Sequence, residues 1–235
     1  MEHAGLAGMQ AVWPNLDLER ARAAATRFRG DPLGAFRRFA AGEVDFTTMR
    51  ALRLHDVAEA FSLPWQQGRL GTFEAAYTPV FEASLRPYAD SAPLLRWCAQ
   101  RGIPVRVLTN AGQVNTQVKI VTTGLDSLDG AVCSRDCLGV GKPDPAAYRH
   151  VCARLALDPG EVLFVGDEWT CDALGAARAG LASAWLVRAE GDPAAEVAAT
   201  PERLAAARQH GIPVISTLDA VPALLGVAAG GPRPR

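Results

Sequence analysis

Residues 162–172, VLFVGDEWTCD, combine a short apolar run with a glycine and two aspartates, Asp167 and Asp172. The apolar run predicts a buried strand, and the glycine followed by carboxylates marks the point where that strand ends. Taken alone, the two aspartates fit a helix N-terminus, where negative charge is favourable, as well as they fit a cation site. The surrounding sequence has to decide between these two roles.

Residues 86–227 repeat this alternation of short apolar runs and helical segments. Five runs predict strands: IPVRVLTN (103–110), AVCSRD (131–136), VLFVGD (162–167), SAWLVR (183–188) and IPVISTL (212–218). Five segments predict helices: SAPLLRWCAQRG, VNTQVKIVTTGL, PAAYRHVCARLAL, TCDALGAARAG and LDAVPALLG. This alternation indicates an α/β domain whose parallel sheet is covered by helices on both faces. The composition of residues 228–235 predicts a flexible tail.

Residues 1–85 predict an all-helical domain instead. Apolar residues recur at helical spacing in ERARAAATRF, DPLGAFRRFAAG, FTTMRALRLHDVAEAF and TFEAAYTPVFEAS. Asp17 precedes the first of these segments and is predicted to cap it. Trp65, Tyr77 and Phe81 could line a pocket, but packing in the helical core is the commoner role for aromatic residues.

The composition excludes several classes of function. The 24 basic and 25 acidic residues are nearly balanced, which gives no electrostatic argument for nucleic acid or an anionic membrane as a partner. No apolar run approaches the roughly 20 residues of a membrane span, and the N-terminus lacks the pattern of a secretory signal. Five cysteines without a CxxC pair predict reduced thiols in a cytoplasmic protein. The sequence leaves the oligomeric state open.

Three polar clusters lie at or near the carboxyl ends of the predicted strands, where α/β sheets bind ligands. They are Thr109-Asn110, Gly141-Lys142-Pro143 and Gly166-Asp167. Taken singly, each cluster has an ordinary explanation. Thr109 or Asn110 can cap a helix, Lys142 can be a surface lysine, and Asp167 can cap a second helix. Together they offer donors for an anionic oxygen, a compact positive charge, and carboxylates for a hard cation such as Mg²⁺. That combination predicts a phosphoryl-transfer site.

VLTNAG, GKPDPAAY and VLFVGDEWTCDALGAARAG, in this order, resemble motifs II, III and IV of the haloacid dehalogenase-like (HAD) hydrolases. The resemblance implies a Rossmann-like core with an inserted α-helical (C1) cap. It implies that Thr109 and Asn110 bind the phosphoryl oxygens and that Lys142 neutralises the charge on nucleophile and phosphate. It further implies that Asp167 and Asp172 hold Mg²⁺, and that Thr109 and Lys142 are catalytic. The acidic motif IV favours a Mg²⁺-dependent phosphatase of a small phosphorylated metabolite.

The motif that opens this family is not found. Family members begin with an apolar strand ending in Asp-x-Asp-x-Thr/Val, whose first aspartate forms an aspartyl-phosphate and whose second is a general acid/base. Residues 1–13, MEHAGLAGMQAVW, resemble the helix that follows it, and the nearest acidic pair, Asp17 and Glu19, follows Trp13-Pro14-Asn15 rather than a strand. We therefore expect an incomplete version of an enzyme, without a nucleophile, and in-frame codons upstream of Met1 would check this.

In the family the expected strand lies in the middle of the sheet, between the strands ending here at Thr109 and Gly166. Its loss predicts two inner edges that stay unpaired or close on each other. Two other functions stay open. One is a non-catalytic HAD-like protein that binds a phosphorylated ligand or a partner. The other is a 2-haloacid dehalogenase, which the acidic motif IV disfavours. The substrate itself is not readable from the sequence.

Overall fold

The computed structural model describes residues 2–66, 68–188 and 199–226. The chain divides into two compact units, Met1–Arg86 and Pro87–Arg235, which are described separately here. The flexible tail predicted over residues 228–235 lies outside the described residues.

Every regular element described in the first unit is a helix. The five helices are α1 (Glu2–Val12), α2 (Leu18–Gly30), α3 (Ala35–Ala41), α4 (Phe46–Ala60) and α5 (Arg69–Ser84). Asp17 caps α2 as predicted, because its carboxylate accepts a hydrogen bond from the backbone N–H of Arg20 at 2.8 Å. Asp45 caps α4 in the same way through the N–H of Thr48.

The core of the first unit forms where α1 packs on α5. Gly8 of α1 lies directly against the ring of Phe73, and a Cβ at this position would overlap the ring. Phe73 also contacts the rings of Phe28 and Tyr77, with centroids 4.8 and 5.1 Å away. Tyr77 is buried, and Phe81 and Trp65 pack against the same cluster, so these aromatic residues belong to the core. The close contact of α1 and α5 therefore depends on a glycine.

The second unit has the α/β architecture that the sequence predicts. Its helices are α6 (Ser91–Gln100), α7 (Gln113–Thr123), α8 (Arg135–Leu138), α9 (Pro145–Leu155), α10 (Gly175–Arg178), α11 (Pro201–Gln209) and α12 (Val221–Leu224). Its strands are β1 (Val107–Thr109), β2 (Val132–Ser134), β3 (Leu163–Gly166), β4 (Ala182–Leu186) and β5 (Val214–Ile215). All the strand pairings are parallel.

The strands form two sheets, and of the two outcomes expected for the inner edges, unpaired or closed on each other, the described residues have the unpaired one. One sheet has the order β1-β2 and the other has the order β3-β4-β5. Within the described part of the chain, no backbone pairing joins β1 to β3, and each has one partner strand. A strand inside a sheet is stabilised by backbone hydrogen bonds to a neighbouring strand on each side. Because β1 has such a neighbour on one side, it spans three residues although the apolar run IPVRVLTN is longer. Among the residues that the structure describes, one inner edge of each sheet is therefore left without a partner strand.

Helix α9 packs against residues of both sheets. Ala147, Tyr148 and Val151 of α9 are buried in one cluster with Leu108 of β1, and Phe164 of β3 packs against that cluster. The rings of Tyr148 and Phe164 meet edge to face, with centroids 5.6 Å apart. Residues of both sheets therefore share one hydrophobic cluster with α9, although no backbone pairing joins the sheets in the described residues.

Three elements differ from what the sequence predicts. Helix α8 begins at Arg135, inside the run AVCSRD that predicts a strand. The segment TCDALGAARAG begins with a π-helical turn, Trp169–Leu174, before α10 continues it. Helix α11 was not assigned from the sequence, although Thr200 caps it and Pro201 opens it. No helix in the described ranges is long and apolar enough to cross a membrane.

Candidate functional site

Thr109 and Asn110 lie at the carboxyl end of β1. The hydroxyl of Thr109 accepts a hydrogen bond from the backbone N–H of Ala111 at 3.1 Å, which forms a tight turn at the end of the strand. A hydroxyl that accepts one hydrogen bond still carries a proton to donate. Thr109 is half-buried, so its hydroxyl can serve as a donor to an anionic oxygen at this sheet edge.

Asn110 is buried, and its carboxamide pairs with the backbone of Lys142. The amide nitrogen Nδ2 donates to the carbonyl oxygen of Lys142 at 2.8 Å. The oxygen Oδ1 accepts from the backbone N–H of Lys142 at 2.7 Å. A Cβ at Gly141 would lie 2.7 Å from Oδ1, so this close approach needs glycine. The side chain of Asn110 is therefore engaged with the loop before α9, and phosphate binding by its backbone stays a prediction.

The side chain of Lys142 crosses from this loop to the end of β3. Its Nζ lies 2.5 Å from Oδ1 of Asp172, and the lysine side chain is 12% exposed. The ammonium also lies over the ring of Phe164, 5.4 Å from the centroid. Asn110 and Asp172 thus hold Lys142 at its backbone and at its tip.

Asp172 is fixed by the π-helical turn that follows β3. Its Oδ2 accepts a hydrogen bond from the backbone N–H of Glu168 at 2.9 Å. The carboxylate packs on Gly166, where a Cβ would overlap it. The carboxylate of Glu168 caps the turn by accepting from the N–H of Cys171. Single π-helical turns are frequent at functional sites. The π-helical turn here brings the carboxylate of Asp172 against Gly166 at the end of β3.

Asp167 is the more accessible of the two aspartates. Its carbonyl oxygen accepts from Nε1 of Trp185 at 3.0 Å, which ties the strand end to β4. Surrounding protein atoms desolvate its carboxyl and raise its pKa, and the charge of Asp172 raises it further. The charge of Lys142 opposes this effect. Burial is thus the main cause of the raised pKa of Asp167, and the charges of Asp172 and Lys142 act on it in opposite directions.

The two aspartates fit the donor chemistry of Mg²⁺. Mg²⁺ takes oxygen ligands and commonly keeps several waters while it binds one or two carboxylates. Both Asp172 oxygens already accept hydrogen bonds, but each carboxylate oxygen has a second lone pair. No group of three His, Cys, Asp or Glu side chains that could hold a metal occurs in the described ranges. Asp167 and Asp172 alone therefore offer an open, partial set of ligands.

Cys171 lies between the two aspartates but is not suited to act as a nucleophile. Burial and the charge of Glu168 raise the pKa of its thiol to about 12. The thiolate is the reactive form of cysteine, so this side chain stays protonated and unreactive near neutral pH. Cys133 is buried and the pKa of its thiol is also raised by burial, in keeping with a structural role.

Further residues that sequence reasoning missed shape the site. Tyr148 of α9 donates its hydroxyl to the carbonyl of Cys171 and so supports the π-helical turn. Asp136 accepts from the backbone N–H of Gln113 through both oxygens, which fixes the start of α7 just after Asn110. Hydrogen bonds from Ser134 and from that N–H lower the pKa of Asp136. The sequence Ser134-Arg135-Asp136 at the end of β2 could have indicated the role of Asp136, because a short acidic side chain at this position can cap a neighbouring helix.

The comparisons with known proteins point to one family. The sequence model of the haloacid dehalogenase-like hydrolases matches residues 8–180. A glyceraldehyde 3-phosphate phosphatase of Methanopyrus kandleri is 30% identical over 113 residues, which cover 48% of each chain. An (S)-2-haloacid dehalogenase of a Pseudomonas species is 29% identical over 147 residues, 62% of this chain and 58% of that one. The match thus spans about half the length of these curated relatives.

A solved structure extends the similarity over nearly the whole chain. The L-2-haloacid dehalogenase of Xanthobacter autotrophicus is 26% identical, with a TM-score of 0.63, and the match covers 96% of this chain and 94% of that one. The relatives include both phosphatases and dehalogenases, so the comparisons leave the reaction open. They agree with the α/β fold. The chain belongs to the haloacid dehalogenase-like hydrolase family.

Proposed function

We propose that this chain carries the phosphate- and Mg²⁺-binding groups of a phosphatase that acts on a small phosphorylated metabolite. One observation carries the proposal: Lys142 joins Asn110 to Asp172 at the strand ends, with Asp167 beside them. An ammonium next to two crowded carboxylates suits a site that receives both a cation and an anionic substrate. The curated phosphatase relatives support the same reaction class.

The residues have separate roles in this proposal. Thr109 donates its hydroxyl to a phosphoryl oxygen, and the backbone N–H of Asn110 lies next to it along the chain. Lys142 reduces the negative charge that gathers around the phosphoryl group. Asp167 and Asp172 hold Mg²⁺, which when bound supplies further charge neutralisation. Five free cysteines in the described residues support the expectation of a cytoplasmic protein.

The proposal also requires a nucleophile, which we place on a strand between β1 and β3. Both strands are parallel to their partners, and each has an inner edge available for pairing among the described residues. A further parallel strand at this position would end beside Thr109 and Gly166. An aspartate at its end would attack phosphorus with one carboxylate oxygen, the alcohol would leave with a proton, and water would then hydrolyse the aspartyl-phosphate.

Dehalogenation of a 2-haloacid is the second candidate. Lys142 and the N–H of Glu168 already satisfy both oxygens of Asp172, which is compatible with chemistry that uses no metal. The similarity to an L-2-haloacid dehalogenase over nearly the whole chain also favours it. The two acidic residues that follow β3, Asp167 and Asp172, favour the phosphatase instead, because their oxygens are the ligands that Mg²⁺ prefers.

A chain extended at its N-terminus by an apolar strand ending in Asp-x-Asp-x-Thr tests both candidates. We expect hydrolysis of p-nitrophenyl phosphate that needs Mg²⁺, is abolished by EDTA and is lost in Asp167→Asn. The matched control carries Asn-x-Asp-x-Thr in the same strand and should be inactive. Residues 1–235 alone should show negligible turnover.

Each other outcome has a definite meaning. Halide release from 2-chloropropionate that is indifferent to EDTA would establish the dehalogenase. Binding of inorganic phosphate by the extended chain without turnover of either substrate would favour a non-catalytic binding protein. Substantial phosphatase activity of residues 1–235 would overturn the need for a further strand.

A further inference from the structure

We propose that Asn110 is a positioning residue that directs the side chain of Lys142. Its carboxamide does this by holding the backbone of Lys142 on both sides, at the N–H and at the carbonyl. The inference rests on the proposed function only for the charge-neutralising role of Lys142. It assigns the side chain of Asn110 a task distinct from phosphate binding.

The geometry suits a carboxamide in particular. Asn110 is 7% exposed, and both of its polar atoms find partners on one residue 32 positions along the chain. An uncharged side chain with a donor and an acceptor on one carbon can satisfy a backbone N–H and a backbone carbonyl together. Aspartate at this position would keep the acceptor but would set a negative oxygen against the carbonyl of Lys142. Alanine would leave both backbone groups without this partner.

Lys142 needs such an anchor because its stem is flexible. A lysine side chain has four rotatable carbon–carbon bonds and places its charge poorly unless both ends are held. Here Asn110 follows β1 and holds the backbone, whereas Asp172 follows β3 and holds the ammonium. The two sheets share no backbone pairing in the described residues, so this polar connection links their ends.

Two neighbouring residues make the arrangement possible. Gly141 leaves room for Asn110, because a Cβ there would lie 2.7 Å from Oδ1. The thiol of Cys171 lies 3.7 Å from the carbonyl oxygen of Lys142 and approaches it from the β3 side. A methyl group at Gly141 should therefore disturb Lys142 in the same way as loss of the carboxamide, although it is introduced from the opposite side of the contact.

Competitive acetylation tests this inference on residues 1–235. The chain has two lysines, Lys142 and the exposed Lys119, so Lys119 is an internal reference for the reactivity of Lys142. Limiting acetic anhydride and peptide mass spectrometry give the Lys142-to-Lys119 ratio, at a temperature well below unfolding. The variants are Asn110→Ala, Asn110→Asp and Gly141→Ala. Gly160→Ala is the matched control, since a Cβ at Gly160 meets no atom within 4 Å.

We expect the ratio to rise about tenfold in Asn110→Ala and Gly141→Ala, as loss of two hydrogen bonds implies, and less in Asn110→Asp. Gly160→Ala should keep the wild-type ratio. A wild-type ratio in folded Asn110→Ala would overturn the inference, even if the variant unfolds at a lower temperature. If Asn110→Ala does not fold, the ratio in Gly141→Ala decides by the same criterion. Acetylation needs no turnover, so this result is independent of the phosphatase assay.

Discussion

The helical unit and the α/β unit both hold positively charged side chains between their elements, but they do so through different contacts. In the helical unit, Arg27 of α2 pairs with Asp56 of α4 through two hydrogen bonds of 2.9 and 2.8 Å. Arg53 of α4 donates to the carbonyl of Phe28 on α2 at 2.9 Å. Both contacts join α2 to α4, and the apolar faces of these two helices also pack against each other.

The α/β unit places its buried ammonium between two sheets that share no backbone pairing within the described part of the chain. Lys142 is held by Asn110 after β1 and by Asp172 after β3, and Asp167 lies nearby with a raised pKa. Raising the pKa of a carboxylate means that its charged form is disfavoured in the folded state. The helical unit therefore uses its charged side chains to join helices. The α/β unit instead keeps charged side chains crowded at the strand ends, which lowers its stability, as functional sites often do.

Removing the ammonium should produce the largest effect. In Lys142→Met, the buried carboxylate of Asp172 loses its counter-charge, and we expect a loss of about 3 kcal/mol in the free energy of unfolding. Urea denaturation measures this. The double variant Lys142→Met/Asp172→Asn should be more stable than the single one, because the isolated charge is gone. A loss well under 1 kcal/mol in Lys142→Met would show that the pair is solvated and would remove the contrast between the units.

A purely steric change in the helical unit comes next. Gly8→Ala sets a methyl group into the ring of Phe73, and overpacking of this kind costs about 2 kcal/mol. Gly71→Ala on α5 is the matched control, since a Cβ there meets no atom within 4 Å. Alanine should stabilise that helix by a few tenths to 1 kcal/mol. Equal stability of the two variants in urea would contradict the close contact of α1 with α5.

The fall in the free energy of unfolding at acid pH should depend on an ion pair at the start of the α/β unit. Both oxygens of Asp90 accept from Arg188, at 2.8 and 3.0 Å, and this contact lowers the pKa of Asp90 below its usual value. A lowered carboxyl pKa contributes stability that is present above the unfolded value of about 3.9 and is lost as pH falls through the folded value.

Asp90→Asn should therefore be less stable than the parent chain near neutral pH, with the difference shrinking below about pH 4. Urea midpoints measured across this range check the sign. Some acid dependence should remain in the variant, because hydrogen bonds also lower the pKa of Asp45 and Asp136. A difference that grows as the pH falls would contradict the assigned direction.

The sequence predicts the strands better than it predicts their pairing. The apolar runs that end at Thr109 and Gly166 are local patterns, and both ends lie where expected. For β1 and β3 the family resemblance leaves two outcomes open, inner edges that stay unpaired or edges that close on each other, and no local pattern decides between them. The α/β class is confirmed, and the structure of the described residues decides for unpaired inner edges.

The candidate site shows the same limit. Residue types at strand ends identify Lys142 and Asp172 as candidates, but the hydrogen bonds of Asn110 join residues 32 positions apart. Only the folded loop brings them together. Helix α11 was missed because its Ala- and Arg-rich sequence lacks a clear apolar face, although Thr200-Pro201 is a helix-start signal.

Mg²⁺ should give the smallest effect and the most specific one. A cation that binds the folded chain at a concentration equal to its Kd raises the free energy of unfolding by about 0.4 kcal/mol, and tenfold more cation raises it by about 1.4 kcal/mol. We expect such a rise with MgCl₂ at constant ionic strength and its loss in Asp167→Asn. Asp45→Asn removes a carboxylate from the helical unit, where it caps α4, and should keep the full response to Mg²⁺. An equal loss in both variants would mean that Mg²⁺ acts by general screening, and this would overturn the assignment of a cation site to Asp167 and Asp172.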